Sequence, residues 1–143
     1  MIALLLGTVL SAENCAKKNT VATTTASETK GSISDTKWAL QTINGKPFQL
    51  AEGIDNPWIF VDAKNSAVKG FGGCNQLMGT AKLDGDAISF PGLAGTKMMC
   101  AAVQDVENRY LEALRSTNTF KLEGANLRFY NKDKEVATFV PGK

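Results

Sequence analysis

Two cysteine-containing clusters in the second half of the chain carry the residue types best suited to chemistry. The run from Gly70 to Gly79, GFGGCNQLMG, contains Cys74, and a second cluster, TKMMC, ends at Cys100. A thiolate in a glycine-rich turn can act as a nucleophile, because backbone N–H groups stabilise it or a developing oxyanion. Thiol catalysis normally requires a neighbouring base, however, and the chain has no histidine. The sequence therefore disfavours a catalytic thiol and predicts no catalytic residue.

The absence of histidine also bears on metal binding and on acid–base catalysis. Histidine is the commonest general base and a frequent zinc ligand, so its absence argues against a hydrolase and a metalloenzyme. Asp62, Asp84 and Asp86 could be imagined as metal ligands, but a turn rich in Asp and Gly needs no ion. No phosphate-binding or dinucleotide-binding pattern surrounds the glycines, since no helix directly follows them. We therefore expect a protein that is not an enzyme and has no metal site and no cofactor.

Cys74 and Cys100 form an even pair once Cys15, near the N-terminus, is set aside. In an oxidising compartment such a pair would form a disulfide. The bridge would close a loop of about 27 residues and stabilise the fold by about 3.5 kcal/mol on a chain-entropy estimate. The alternative is two buried free thiols that pack as small hydrophobic groups. We favour the disulfide, provided that the protein is exported.

The other residues of the two clusters have structural interpretations. Asn75 suits local hydrogen bonds to the backbone or a left-handed conformation. The glycines are expected to shape a crossing of the chain rather than to hold a ligand. Met98 and Met99 either line an adaptable hydrophobic groove or fill gaps in the core. The predicted structural residues of the motif are Gly70, Gly72, Gly73, Asn75, Gly79, Thr96, Met98 and Met99.

The elements that must position these clusters are mostly strands. Apolar, β-branched and aromatic runs separated by turn dipeptides such as Asn44-Gly45 predict antiparallel hairpins. The predicted strands lie at 38–43, 47–50, 58–61, 67–71, 78–83, 87–90, 96–99, 119–122, 125–130 and 135–140. One segment, at about 101–115, has a helical period, with Glu107 assigned to its polar face. The predicted class is α+β: mostly antiparallel β-sheet, with a barrel as one form it could take, and one amphipathic helix.

The N-terminal residues indicate export. Residues 2–12, IALLLGTVLSA, form an apolar run that is shorter than the about 20 residues of a membrane span and is typical of a signal peptide. Cys15 follows, and the polar residues 17–35 predict a flexible tether. We therefore divide the chain into a leader (1–16), a tether (17–35) and a folded domain (36–143). The leader resembles that of a bacterial lipoprotein, which would make Cys15 the lipidated residue. Cleavage after Ser11 or Ala12 and a disordered cytoplasmic N-terminus are the alternatives.

The motifs together resemble the META/HslJ-like family. The resemblance rests on GFGGCNQLMG, a DGD turn before AISF, TKMMC, VENRYLEAL and ANLRFYN, and extends from about Thr36 to Val140. It implies a single β-rich domain, often exported or lipid-anchored in bacteria. Members of the family are associated with heat-shock or envelope-stress responses, antibiotic tolerance and, in some parasites, virulence. Their fold is similar to a lipoprotein pilot of secretion secretins, which suggests binding rather than catalysis.

The expected function is therefore that of a non-catalytic, exported binding domain, located in the periplasm or anchored at the outer membrane, with an extracellular location also open. The partner would be an envelope protein, a peptide or a lipid, and Cys15 could provide membrane attachment. The net charge of +2 without a block of like charge argues against nucleic acid. We expect a monomer.

Two alternative functions remain open. The first is a secreted inhibitor or a secretion or chaperone accessory protein, and the second is a thiol-redox protein. An apolar groove beside Met98, Met99 and the helix would favour a binding domain. A protruding, rigid polar loop would favour the inhibitor or accessory protein, and an exposed, low-pKa Cys74 would favour the redox protein.

Overall fold

The computed structural model describes residues 32–143, so the predicted leader, Cys15 and most of the predicted tether lie outside the described residues. The described chain forms eleven strands and one helix. The strands are β1 (Trp38–Ile43), β2 (Lys46–Pro47), β3 (Trp58–Val61), β4 (Ala67–Phe71), β5 (Gln76–Thr80), β6 (Lys82–Asp84), β7 (Ala87–Ser89), β8 (Ala94–Gly95), β9 (Thr119–Glu123), β10 (Asn126–Asn131) and β11 (Lys134–Pro141). The helix, α1, spans Gln104–Ser116.

The strands form one antiparallel sheet that curls into a half-barrel. Their order is β6-β7-β9-β10-β11-β1-β3-β4-β5-β8, with β2 beside β1. β5 ends at Thr80 and β6 begins at Lys82, so the buried Ala81 alone connects strands near opposite ends of this order. The predicted α+β class, dominated by antiparallel sheet, is confirmed.

Alternating side chains of the strands fill the interior, as expected for a sheet with one face on a core. Leu127, Phe129 and Phe139 are fully buried. The ring of Phe129 meets that of Phe139 edge to face, with centroids 4.9 Å apart, an arrangement that aromatic pairs favour. Helix α1 packs against β1, β10 and β11 and closes the core on this side.

The strands differ from the predicted ones where the chain bends or has no partner strand. The predicted strand at 78–83 is two strands, β5 and β6, because the chain turns at Ala81. Residues 96–99 are not a strand, and the edge strand β8 lies just before them. The return after Asn44-Gly45 is limited to Lys46–Pro47, since proline has no N–H to continue a ladder.

The helix differs from the prediction in its start and in one face. It begins at Gln104, because residues 101–103 form a turn. The N–H groups of Val103 and Gln104 are both donated to the carbonyl of Cys100. Val106, Tyr110 and Leu114, which the helical period places on the apolar face, are buried as expected. The assignment of Glu107 to the polar face is wrong, because its side chain finds buried hydrogen-bond donors.

The last residues of the predicted tether contact the sheet. Ile33 is buried, and its carbonyl accepts the indole N–H of Trp38 at 2.8 Å. Asp35 donates its N–H to the carbonyl of Val61 at 2.8 Å, and its carboxylate accepts the N–H of Ala63 at 3.0 Å. The packed part of the described chain therefore begins before Thr36.

The hydroxyl of Tyr110 is buried without a hydrogen-bond partner among the described residues. The side chain is fully buried, and its ring centroid lies 6.2 Å from that of Phe139. Burial raises the pKa of the Tyr110 phenol, because an apolar environment disfavours the phenolate. An unpaired buried hydroxyl costs about 1–3 kcal/mol.

We expect Tyr110→Phe to raise the free energy of unfolding by about 1 kcal/mol at neutral pH, since it removes the unpaired hydroxyl and keeps the ring. Above about pH 10, tyrosine ionises in the unfolded chain while native Tyr110 keeps its proton. Wild-type stability should therefore fall there by up to about 1.4 kcal/mol per pH unit from this residue, and the variant should lack that loss. Urea denaturation between neutral and alkaline pH measures both effects. A variant less stable than wild type at neutral pH would contradict the prediction.

Candidate functional site

The buried carboxylate of Glu107 connects the first turn of α1 to the glycine-rich turn after β4. Glu107 is only 2% exposed. Its Oε2 accepts the backbone N–H groups of Asn75 at 2.7 Å and Cys74 at 3.2 Å, and its Oε1 accepts the side-chain amide of Asn75 at 2.5 Å. A buried charge is tolerated only when it is paired or hydrogen-bonded, and these donors meet that requirement.

Two glycines allow the turn to approach the residues at the start of α1. Gly73 has a φ of +107°, a backbone conformation that residues other than glycine rarely adopt. A Cβ at Gly73 would also lie 2.6 Å from Cγ2 of Val103. A Cβ at Gly72 would lie 2.7 Å from Cγ of Glu107. The turn therefore approaches the start of the helix only because both positions lack a side chain.

Asn75 extends the connection to the segment that follows β8. Its Oδ1 accepts the N–H of Met98 at 2.7 Å and the hydroxyl of Thr96 at 2.9 Å, and its Nδ2 donates to the carbonyl of Met98 at 3.2 Å. Because the Glu107 carboxylate only accepts hydrogen bonds, the NH₂ group of Asn75 must face Glu107 and its oxygen must face Met98 N–H. The side-chain amide thus takes the place of a neighbouring strand for Met98.

A disulfide joins Cys74 to Cys100, with their Cα atoms 6.0 Å apart. It ties the glycine-rich turn to the residue whose carbonyl accepts the N–H groups at the start of α1. The bridge and the Glu107 carboxylate therefore hold the same turn against the same end of the helix. We call Cys74, Asn75, Met98, Cys100 and Glu107 the clasp.

The structure brings most of the predicted motif residues together. Those in or beside the clasp are Gly72, Gly73, Cys74, Asn75, Thr96, Met98 and Cys100. Gly70 and Gly79 lie in β4 and β5, where a Cβ would come within 2.8 Å of the Trp58 carbonyl and 3.1 Å of Leu93 Cα, respectively. These two glycines thus allow the backbone of neighbouring segments to pack closely against β4 and β5. Met99 is exposed beside the clasp, and Cys15 lies outside the described residues.

Sequence reasoning misses Glu107, the central residue of the clasp. Acidic residues in the first turn of a helix are ordinarily explained by their favourable interaction with the helix dipole. A glutamate is also usually exposed to solvent. One signal in the sequence points to the buried role. Glu107 lies four residues after Val103 and three before Tyr110, so the helical period places it on the same face as these two buried residues.

A groove of about 490 Å³ lies beside the clasp, between the stretch 93–99 and α1. One wall is the stretch 93–99, and the other is a helix face at spacings of three and four residues, formed by Gln104, Asn108, Leu111 and Arg115. The large apolar side chains that line it are Leu77, Leu93, Met98, Met99 and Leu111. Lys97 and Arg115 add two cations. The groove thus combines an apolar lining with positive charge.

Two further properties concern residues 32–143 only. In this part of the chain, no group of three or more His, Cys, Asp or Glu side chains is placed to hold a metal ion. No helix in the same range is both long and apolar enough to cross a bilayer.

The fold and the clasp together define a class of protein, an antiparallel half-barrel closed by one helix. Residues 31–143 match the model of the META domain, so the chain belongs to the META domain family. This match confirms the resemblance that the motifs indicated. No curated protein matches the chain in sequence.

Two structures determined by NMR share the fold. One is of a protein from Burkholderia xenovorans, with 23% identity and a TM-score of 0.63 over 78% of this chain and 84% of that chain. The second has 24% identity and a TM-score of 0.57 over 73% of this chain and 88% of that chain. At these identities, the similarity concerns the fold alone.

Replacing Glu107 should destabilise the protein far more than replacing an exposed glutamate of the same helix. Glu107→Gln keeps one acceptor oxygen but turns an NH₂ group toward the donors of the clasp, so we expect a loss of about 2–4 kcal/mol. Glu112→Gln, at an exposed position of α1, should change stability by less than about 0.5 kcal/mol. Urea denaturation of the oxidised proteins measures both values, and equal losses would contradict the buried role.

The disulfide and Glu107 should act as one unit. Replacing both Cys74 and Cys100 with serine should lower the free energy of unfolding by about 3.5 kcal/mol through the entropy of the unfolded chain. When this change is combined with Glu107→Gln, the loss in the free energy of unfolding should differ from the sum of the separate losses by at least about 0.5 kcal/mol. The reason is that the disulfide and Glu107 hold the same turn. A double-mutant cycle in urea tests this, and strict additivity would show that the two interactions are independent.

Proposed function

We propose that this chain is a non-catalytic binding domain of the cell envelope and that the groove between the stretch 93–99 and α1 is its binding surface. The observation that carries the proposal is the exposure of two methionines on the groove wall, 56% for Met98 and 93% for Met99. Large apolar side chains exposed together along a concave surface are typical of an interaction site. Methionine is flexible and polarizable, so it adapts to the shape of a partner.

The position of the groove favours a binding domain over the alternative of a secreted inhibitor or a secretion or chaperone accessory protein. The apolar lining continues from Met98 and Met99 to Leu111 on the helix, which is the arrangement expected for a binding surface. An inhibitor of the kind considered would instead present a rigid polar loop. Membership of the META family suggests a stress-related accessory role, which is compatible with binding.

Location in the envelope is supported by two features. Disulfides such as Cys74–Cys100 persist in oxidising compartments and are rare in the cytosol. The apolar run at 2–12, followed by Cys15 and polar residues, supports export and lipid anchoring. We therefore propose that the domain lies in the periplasm or at the outer membrane, tethered through the residues that precede Ile33.

A thiol-redox function receives less support. Such a function needs an accessible thiol of low pKa. The Cys74 side chain is 6% exposed and its sulfur is bonded to Cys100. We therefore assign the cysteines to the clasp rather than to a reaction.

An apolar anionic dye, anilinonaphthalene sulfonate, tests the binding surface directly. The native protein should bind it at neutral pH with enhanced fluorescence, because the groove combines apolar side chains with two cations. Replacing both Met98 and Met99 with glutamine should weaken binding by about fivefold or more, since apolar contact area is lost.

Met78→Gln is the matched control, because Met78 is as exposed as Met98 but lies outside the groove. It should change the affinity by less than about twofold. Circular dichroism verifies that all variants are folded. Equal effects of the groove and control variants, or no binding to the native protein, would refute the proposal.

A further inference from the structure

The groove wall formed by the stretch 94–99 behaves as a sheet edge, although only its first two residues are a strand. Thr96 donates its N–H to the carbonyl of Gln76 in β5 at 3.1 Å. Met98 presents both its N–H and its carbonyl to the side-chain amide of Asn75. Thr96 and Met98 therefore turn their backbone groups toward β5 and the clasp.

Lys97 and Met99 alternate with these residues, and their backbone groups make no hydrogen bond to any residue in the described chain. In an extended segment, successive residues direct their N–H and C=O groups to opposite sides. The groups of Lys97 and Met99 are therefore directed away from Asn75. Both residues are exposed and both line the groove. An unpaired edge of this kind is a template for the addition of another strand.

The dimensions of the groove fit a short extended peptide. The helix wall extends from Gln104 to Arg115, which is about 16 Å at 1.5 Å per residue. An extended chain rises about 3.3 Å per residue, so about five residues cover this length. The opposite wall, 93–99, is long enough to accompany such a peptide throughout.

The charges in the groove select for acidic groups. Lys97 and Arg115 are exposed on opposite walls. The carboxylate that lines the groove, Glu107, is buried, and both of its oxygens accept hydrogen bonds within the clasp. The cations therefore lack an acidic partner within the groove, and an incoming carboxylate would complement them.

We propose that the groove binds an extended, acidic segment of a partner protein, which adds as a strand to the edge at Lys97 and Met99. Apolar side chains of the segment pack between Leu93, Met98 and Leu111, and its acidic groups face Lys97 and Arg115. The side chain of Asn75 holds Met98 and thereby positions the edge before the partner arrives. The inference rests on the proposed binding function and specifies the class of partner.

Hydrogen exchange on the purified full chain tests the added strand, with an acetylated and amidated octapeptide of alternating valine and glutamate as the probe. At saturation, the amide protons of Lys97 and Met99 should exchange at least about tenfold more slowly. The amides of Thr96 and Met98, which already have acceptors, should change by less than about threefold. Binding without this alternation, or no binding of the peptide, would overturn the inference.

Charge variants test the selection for acidic segments. Arg115→Gln should weaken binding of the peptide by about fivefold at low salt and by less at high salt. Arg109→Gln is the matched control, because Arg109 lies on the same helix outside the groove and pairs with Asp105. It should change the affinity by less than about twofold. Equal effects of the two variants, or equal binding of a peptide with lysine in place of glutamate, would overturn the inference.

The outcomes separate this inference from the proposed function. If the dye binds in the groove and the peptide does not, strand addition is wrong and the binding function stands. If palmitate binds and displaces the dye while the peptide has no effect, the groove accommodates an acyl chain instead. If neither the dye nor the peptide binds, the proposed function itself fails.

Discussion

The burial of the Glu107 carboxylate is the constraint on which the arrangement of helix, turn and groove depends. Moving a carboxylate out of water costs several kcal/mol unless donors replace the lost hydration. The backbone N–H groups of Cys74 and Asn75 and the side chain of Asn75 supply those donors. They reach the carboxylate only because Gly72 and Gly73 have no side chains. This requirement sets the distance between the glycine-rich turn and α1.

The remaining contacts of the clasp transmit that constraint to the groove. Asn75 is oriented by Glu107 and binds both backbone groups of Met98, so an irregular segment is held against the glycine-rich turn. The disulfide ties the same turn to Cys100, just before the helix. As a result, the polar and covalent contacts lie beneath the segment, and the side chains of Met98 and Met99 are left exposed. The clasp thus shapes one wall of the groove through hydrogen bonds and one covalent bond.

Much of the fold could be predicted from local signals. The turn at Asn44-Gly45 has positive φ at both residues, as its dipeptide indicates, and Gly85 serves the hairpin of β6 and β7 in the same way. Residues 96–99 could not be assigned correctly, because the backbone of Met98 is bonded to the side chain of Asn75 rather than to a neighbouring strand. The bend at Ala81 was likewise not predicted, since it follows from closure of the sheet.

The sequence by itself determined the α+β class, the helix and the family, because periodicity, turn dipeptides and short motifs are local properties of the chain. It also singled out Cys74 and Cys100 as a pair. Only the tertiary structure decided that Glu107 is buried, since its donors come from residues as far as 33 positions away. It also decided that Met98 and Met99 line a groove rather than the core. The physical reason is that burial of a polar or flexible side chain depends on the partners that the fold brings to it.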